Sequence, residues 1–184
     1  MDGMFVSNIS FGIPVLASIK DAADIVMDVH LMIEEPIRYV EAFHKAGADI
    51  LNVHYEACED VQATLDAIHK CGMKAGLTIK PATPVDVLKP YLDQAELFLI
   101  MSVEPGKGGQ SFIPESLDKI RELRGLLNEK GLTADVEVDG GIHLGNAKEV
   151  LESGANVLVA GSAVFKDNIA ENVKGFMEIL NENE

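Results

Sequence analysis

The chain has 184 residues, of which 47% are hydrophobic and 24% charged, proportions that suit one globular domain with a substantial core. Its formal net charge of −15 argues against nucleic acid as a partner, because nucleic-acid binders turn basic surfaces to phosphate backbones. No apolar run approaches the ~20 residues of a membrane span, and the start MDGMFVSNIS has no signal-peptide pattern. Cys58 and Cys71 stand apart, as two reduced thiols of a cytoplasmic protein would.

In chain order, residues 5–12 (FVSNISFG) read as a loop with apolar anchors, and residues 13–23 as a short helix with Pro14 in its first turn. Residues 25–32 (IVMDVHLM) predict a strand. Residues 36–46 predict a helix, with Ile37, Val40, Phe43 and Ala46 at helical spacing and Gly47 closing it. The pattern then continues as a strand over 49–56, a helix over 61–70 and a strand over 74–80. A helix over 84–92 is expected to open on Thr83 as N-cap with Pro84 at its first position. Residues 97–103 (LFLIMSV) form an almost wholly apolar strand, and 116–130 the longest helix, with Leu117, Ile120, Leu123 and Leu127 on one face. A strand over 134–139, a helix over 144–153, a strand over 157–161 and a helix over 168–180 complete the chain.

Strand and helix alternate, connections are short, and the strands look buried on both faces, as parallel strands between helices are. A doubly wound open sheet and a (β/α)₈ barrel both fit. Polar and glycine signals top nearly every strand: His30, His54, Glu56, Lys80, Ser102, Asp139, Gly161 and Ser162. Groups spread round many strand ends favour the barrel, since an open sheet gathers them at one switch point. Six predicted strands are fewer than eight, and the chain ends on a normal helix, so the deficit is expected at the front.

The stretch VDGGI, residues 138–142, carries the densest chemistry. A strand ending in the carboxylate of Asp139 and turning through Gly140 and Gly141 toward a helix offers a proton-transfer group and bare backbone N–H groups. Gly161 and Ser162 repeat the plan. In a barrel these would be the last two loops, the common phosphate position of the fold. A buried carboxylate such as Asp139 also needs pairing, hydrogen bonds or a metal. His30 and His54 top strands, where a single His is more often a hydrogen-bonded core residue than a ligand. His44, His69 and His143 read as surface, and Met32 and Met101 as core by default.

DVHLMIEEP, TIKPATPV, MSVEPGKGGQSFIP, VEVDGGI and VLVAGSAVF together resemble the ribulose-phosphate 3-epimerase family, from residue 1 to about 165. The resemblance implies a single-domain (β/α)₈ barrel over residues 1–184. It implies interconversion of D-ribulose 5-phosphate and D-xylulose 5-phosphate, with a divalent cation (Fe²⁺, Zn²⁺ or Mn²⁺) held by two His and two Asp. Residue by residue, His30 matches a metal-binding His, and Asp139 the Asp that is both ligand and proton donor. Gly106, Lys107, Gly108 and Gly109 match the substrate-covering loop, with Lys107 where the family usually has Phe. Gly140, Gly141, Gly161 and Ser162 match the phosphate site, and Met1, Met32 and Met101 the methionines that cap the reacting centre. A cytoplasmic homo-oligomer acting on a phosphorylated ketose is the expected setting.

MDGMFVSNISFG resembles the family segment that follows its second strand, so the barrel is expected to lack its first strand, first helix and most of the second strand. With them would go a substrate-binding Ser, the other metal His and the second proton-transfer Asp. Asp2 does not replace that Asp, because an odd offset along a strand points to the opposite face. The expectation is therefore an impaired epimerase, either a working enzyme whose start is misassigned or a true truncated product. The alternatives are an epimerase of a hexulose 6-phosphate and a non-catalytic phosphate-binding fragment.

Overall fold

In the computed structural model, which describes residues 1–183, each predicted strand forms. They are β1 (Asp28–Leu31), β2 (Ile50–His54), β3 (Lys74–Ile79), β4 (Leu97–Met101), β5 (Asp135–Asp139) and β6 (Val157–Val159). All pair in parallel in sequence order, giving one six-stranded sheet. The helices are α1 (Ile13–Ala22), α2 (Val40–Lys45), α3 (Val61–Lys70), α4 (Ser116–Glu129), α5 (Ala147–Glu152), α6 (Ser162–Phe165) and α7 (Ile169–Asn181). The β-branched and apolar runs supply strands buried on both sides, and the helical spacing of Leu117, Ile120, Leu123 and Leu127 turns one stripe of α4 onto the sheet.

Alternation along each strand separates two layers. Leu51, Val53, Leu77, Ile79, Phe98, Ile100, Val136 and Val138 face the helices and join Leu65, Ile68, Ile120, Leu123 and Val150 in the main core. Leu97, Leu99, Met101 and Val103 form a second, smaller cluster with Met32 and Ile50 packed against it. The sheet is strongly curled. Flat strands at ~4.8 Å spacing would hold β1 and β5 roughly 19 Å apart, yet His30 Nδ1 of β1 lies 3.7 Å from Asp139 Oδ2 of β5. The architecture is a TIM-like α/β half-barrel, a trough whose outer strands are β1 and β6. Beside β1, the N-terminal segment and α1 border an open groove of about 940 Å³. There Ile9 and Phe11 are 82% and 84% exposed.

Local differences from the sequence reading have physical causes. β1 pairs only with β2 and is shorter than residues 25–32, leaving Ile25 and Val26 exposed in the approach to it. The expected helix over 36–46 starts as a 3₁₀ turn at Pro36–Tyr39 before α2. Val85–Tyr91 is 3₁₀ rather than α, with Pro90 inside it. Thr83 does not cap that helix; Pro84 stands at the cap position, and the Thr83 hydroxyl donates to Glu56 instead.

Candidate active site

The strand ends open onto a cavity of about 250 Å³. Of the residues matched to the family's site, all except His30 line it: Met1, Met32 and Met101; Gly106, Lys107, Gly108 and Gly109; Asp139, Gly140 and Gly141; Gly161 and Ser162. His30 reaches its edge through Asp139 and also borders the neighbouring open groove.

Asp139 is the last residue of β5, between Met101 of β4 and Val159 of β6 in register. Ser102 anchors it. Its amide donates to the Asp139 carbonyl at 2.8 Å, and its hydroxyl lies 3.0 Å from that oxygen and 2.7 Å from the Gly140 carbonyl. Gly140 (φ 126°) and Gly141 (φ 64°) turn the chain in conformations that side chains resist. A Cβ at Gly141 would also strike the Phe112 backbone, so glycine lets the returning chain at Gln110 and Phe112 lie directly over this turn. Asn146 Nδ2 donates to the Gly141 carbonyl at 3.1 Å. Gly161 precedes α6, whose first amides lack partners within their own helix.

The covering loop is tied at several points. Gln110 Nε2 donates to the carbonyls of Glu104 and Lys107, each at 2.7 Å, and Asn8 Nδ2 to that of Gly106 at 2.6 Å. The N-terminal segment therefore braces the loop. It is itself held by Asp2, whose carboxylate accepts the amides of Met4, Phe5 and Glu34.

Beneath the cavity runs a chain of polar contacts: Glu56, His54, His30, Asp139. His54 Nε2 is 2.9 Å from His30 Nε2, and His54 Nδ1 is 3.3 Å from Glu56 Oε2. Burial drives the pKa of His54 down to about 4, against the pull of Glu56. Burial would raise Glu56, but hydrogen bonds from His54, Thr83 and the Lys80 amide outweigh it and draw its carboxyl down to about 2. Deeper in the trough, Thr78 donates to Asn52 Oδ1 at 2.6 Å and Asn52 Nδ2 to Glu137 Oε2 at 3.0 Å. Burial, the charge and hydrogen bond of Asp28 and the charge of Asp139 raise Glu137 to about 9, so it is protonated at neutral pH.

Asn52 and Glu137 were not among the sequence candidates, and His54 and Glu56 were read as strand-top polar groups without a site role. Glu137 stands two residues before Asp139 on one strand, so it shares Asp139's face and was readable by alternation. The role of His54 was not readable, because it depends on how β1 and β2 are registered. As a test for a cation, His30 Nδ1 and Asp139 Oδ2 are near the separation of about 3.3–3.6 Å that two ligands of ~2.0–2.2 Å have on one tetrahedral ion. Among the described residues no group of three or more His, Cys, Asp and Glu gathers with metal-binding geometry. Two donors fall short of the three or four protein ligands that such an ion usually takes.

A model of the ribulose-phosphate 3 epimerase family matches residues 1–165. A ribulose-phosphate 3-epimerase of Synechocystis sp. is 52% identical over 178 residues, which is 95% of this chain and 77% of that protein. One of Bacillus subtilis is 49% identical over 166 residues, covering 90% of this chain and 76% of that protein. Among solved structures, a 3-hexulose-6-phosphate synthase superposes with a TM-score of 0.73 over 92% of this chain and 81% of its own, at 18% identity, a likeness of fold alone.

Proposed function

Because the chain belongs to the ribulose-phosphate 3-epimerase family, a family of isomerases, we propose that its cavity binds a pentulose 5-phosphate and that Asp139 moves the proton at C3. The observation that carries this reading is the convergence of a strand-end carboxylate and two glycine-led loops on one cavity. The amides of Gly141, Gly161 and Ser162 serve the phosphate, using backbone dipoles where the chain has few cations to offer. Gly106, Lys107, Gly108 and Gly109 cover the sugar, and Met1, Met32 and Met101 keep water from the reacting carbon. The carboxylate of Asp139 takes the proton next to the carbonyl, or returns one from the same side.

A divalent cation, Fe²⁺, Zn²⁺ or Mn²⁺, would be held in part by His30 and Asp139. When bound it would withdraw charge from the carbonyl and hydroxyl oxygens beside the reacting carbon. The two donors do not make a full site, so the steps above rest on the chain's own groups. Epimerisation also needs a second acid–base group on the opposite face, and the other carboxylate lining the cavity, Glu104, is exposed on the covering loop. We therefore expect this 184-residue chain to have strongly impaired turnover. Loss of one positioned acid–base group costs ~10²–10⁴-fold. A coupled assay of D-ribulose 5-phosphate with added Fe²⁺, Zn²⁺ or Mn²⁺ tests this; family-like turnover would overturn it.

The trough also supports an eight-stranded barrel plan, with the interval between β1 and β6 as the place of the first strand and most of the second. The unpaired flanks of β1 and β6 and the apolar groove beside β1 favour self-association. A cytoplasmic setting accords with free Cys58 and Cys71 and with the absence, among the described residues, of any helix long and apolar enough to cross a membrane. A second reading, phosphate binding without catalysis, is favoured by complete glycine loops beside a donor set of two. Phosphate binding with no turnover, even in a chain extended at its N-terminus by two further strands, would select it over the epimerase.

A further inference from the structure

Residues 1–10 fold back on themselves into a closed turn. Asp2 and Ile9 pair as an antiparallel bridge, the Gly3 amide donates to the Asn8 carbonyl at 3.1 Å, and the Ser10 amide to the Met1 carbonyl at 3.3 Å. One oxygen of the Asp2 carboxylate fixes the bend by accepting the amides of Met4 and Phe5, each at 2.9 Å. Three contacts then fasten this turn across the strand ends. The other Asp2 oxygen accepts the amide of Glu34, beyond the end of β1, at 2.8 Å. The Phe5 ring lies 4.7 Å from the ring of His54, the last residue of β2, and Lys80 Nζ, just past β3, stands 3.9 Å from the centre of the Phe5 ring. Asn8 Nδ2 donates at 2.6 Å to the carbonyl of Gly106, in the loop after β4.

That last contact bears on the cavity. Gly106 has φ 108°, and a Cβ there would stand 2.8 Å from the Cβ of Val6. Glycine therefore lets the loop backbone rest directly on Val6, which is buried. Val6 supports the loop by contact and Asn8 holds it by a hydrogen bond, both at Gly106. The bonds from Gln110 to the Glu104 and Lys107 carbonyls are internal to the loop and move with it. Among the described residues, the bond from Asn8, 98 positions away in sequence, is the one hydrogen bond that residues 104–109 make outside the loop.

We propose that Asn8 is a positioning residue for ligand binding: with Val6 it holds residues 106–109 over the cavity before any ligand arrives, so that a sugar phosphate meets the loop already in place. Ordering a mobile loop on binding costs affinity, and a loop fixed beforehand avoids that cost. That the loop covers the sugar, while the amides of Gly141, Gly161 and Ser162 take the phosphate, rests on the proposed function; the bracing of the loop does not. Asn8 should therefore matter to a sugar phosphate and not to inorganic phosphate.

Relaxation of the ¹⁵N amides of residues 106–109 in the ligand-free protein reads the bracing directly. The parent loop is expected to be as ordered as the strand ends. Its fast motion should rise in Asn8→Ala and in Asn8→Asp, which keeps the shape of asparagine without its N–H donor. A loop already mobile in the parent overturns the proposal, whether or not the variants fold. So does a loop as ordered in the folded variants as in the parent. Titration separates positioning from general damage. Asn8→Ala should weaken D-ribulose 5-phosphate binding by about 2–10-fold, the worth of one hydrogen bond, and leave inorganic phosphate binding within ~2-fold. Equal loss of both ligands, or loss of neither, overturns the positioning role. A parent that binds neither ligand while its loop is ordered as expected counts against the proposed function alone.

Discussion

Toward the helices, β2 presents Leu51 and Val53, β3 Leu77 and Ile79, and β5 Val136 and Val138, all fully buried. Toward the trough, the same strands present Asn52 and His54, Thr78, and Glu137, which are as deeply buried but polar. Both faces exclude water, so the difference lies in what replaces it. The helix face relies on dispersion and apolar burial, which tolerate many arrangements of similar volume. The trough face relies on pairing each donor with an acceptor, and among the described residues no buried side-chain nitrogen or oxygen lacks a partner. A small change on that face has consequences set by stoichiometry rather than volume.

The largest expected effect comes from neighbours that point opposite ways. Leu77→Ala should destabilise the fold by ~2–5 kcal/mol, the usual range for a leucine-sized cavity in a closed core. Thr78→Val keeps volume and removes the hydroxyl that donates to Asn52 Oδ1, which should cost about 1–3 kcal/mol for the unsatisfied amide oxygen. Urea denaturation of both variants measures the pair. A Thr78→Val protein as stable as the parent would mean that the trough network is not what holds that face.

Glu137 sharpens the comparison through pH. Its pKa is raised from 4.5 to about 9, with burial the main cause. In the unfolded chain the carboxyl ionises near its ordinary value, so the unfolded state binds fewer protons between the two values. Stability from this group is fully present below pH ~4.5 and is lost as pH rises toward ~9. Glu137→Gln can keep both hydrogen bonds, accepting from Asn52 and donating to Asp28, while removing the ionisation. It should stabilise the protein by up to ~5 kcal/mol at pH 8, about 1.4 kcal/mol for each pH unit above 4.5, with the gain vanishing near pH 4. Chemical denaturation at both pH values checks this. A gain equal at pH 4 and pH 8 would defeat the linkage.

How much of this was legible in the sequence differs by face. The helix side was readable, because alternation and helical spacing point the same way in α4 and the strands. Asp139 and its glycines were readable because a carboxylate, a turn and a helix start lie within one short stretch. The curl that carries His30 across to Asp139 was readable too, because polar groups at many strand ends favoured a barrel, and the two side chains lie 3.7 Å apart. The use of Thr83 was not readable. Its place before Pro84 suggested a helix cap, whereas Glu56, brought over from the end of β2, takes its hydroxyl. A long-range partner outcompeted a local one, and local pattern cannot foresee that.

The smallest effect expected is at Lys107, the one cationic side chain among the residues lining the cavity. It is exposed, on a loop whose shape is set by Gln110 and Asn8 rather than by its own side chain. If backbone amides at Gly141 and Ser162 grip the phosphate, Lys107 contributes only a screened attraction to an incoming dianion, on a chain whose net charge of −15 otherwise repels it. Lys107→Gln should then weaken inorganic phosphate binding by about 3-fold at low salt, and the difference should disappear near ~0.5 M salt, where screening acts over a few ångströms. Titration with phosphate, followed through the amide resonances of Gly141 and Ser162, provides the measurement. A loss of ~30-fold or more that persists in high salt would make the ammonium itself the grip. The amide-based phosphate site would then have to be abandoned.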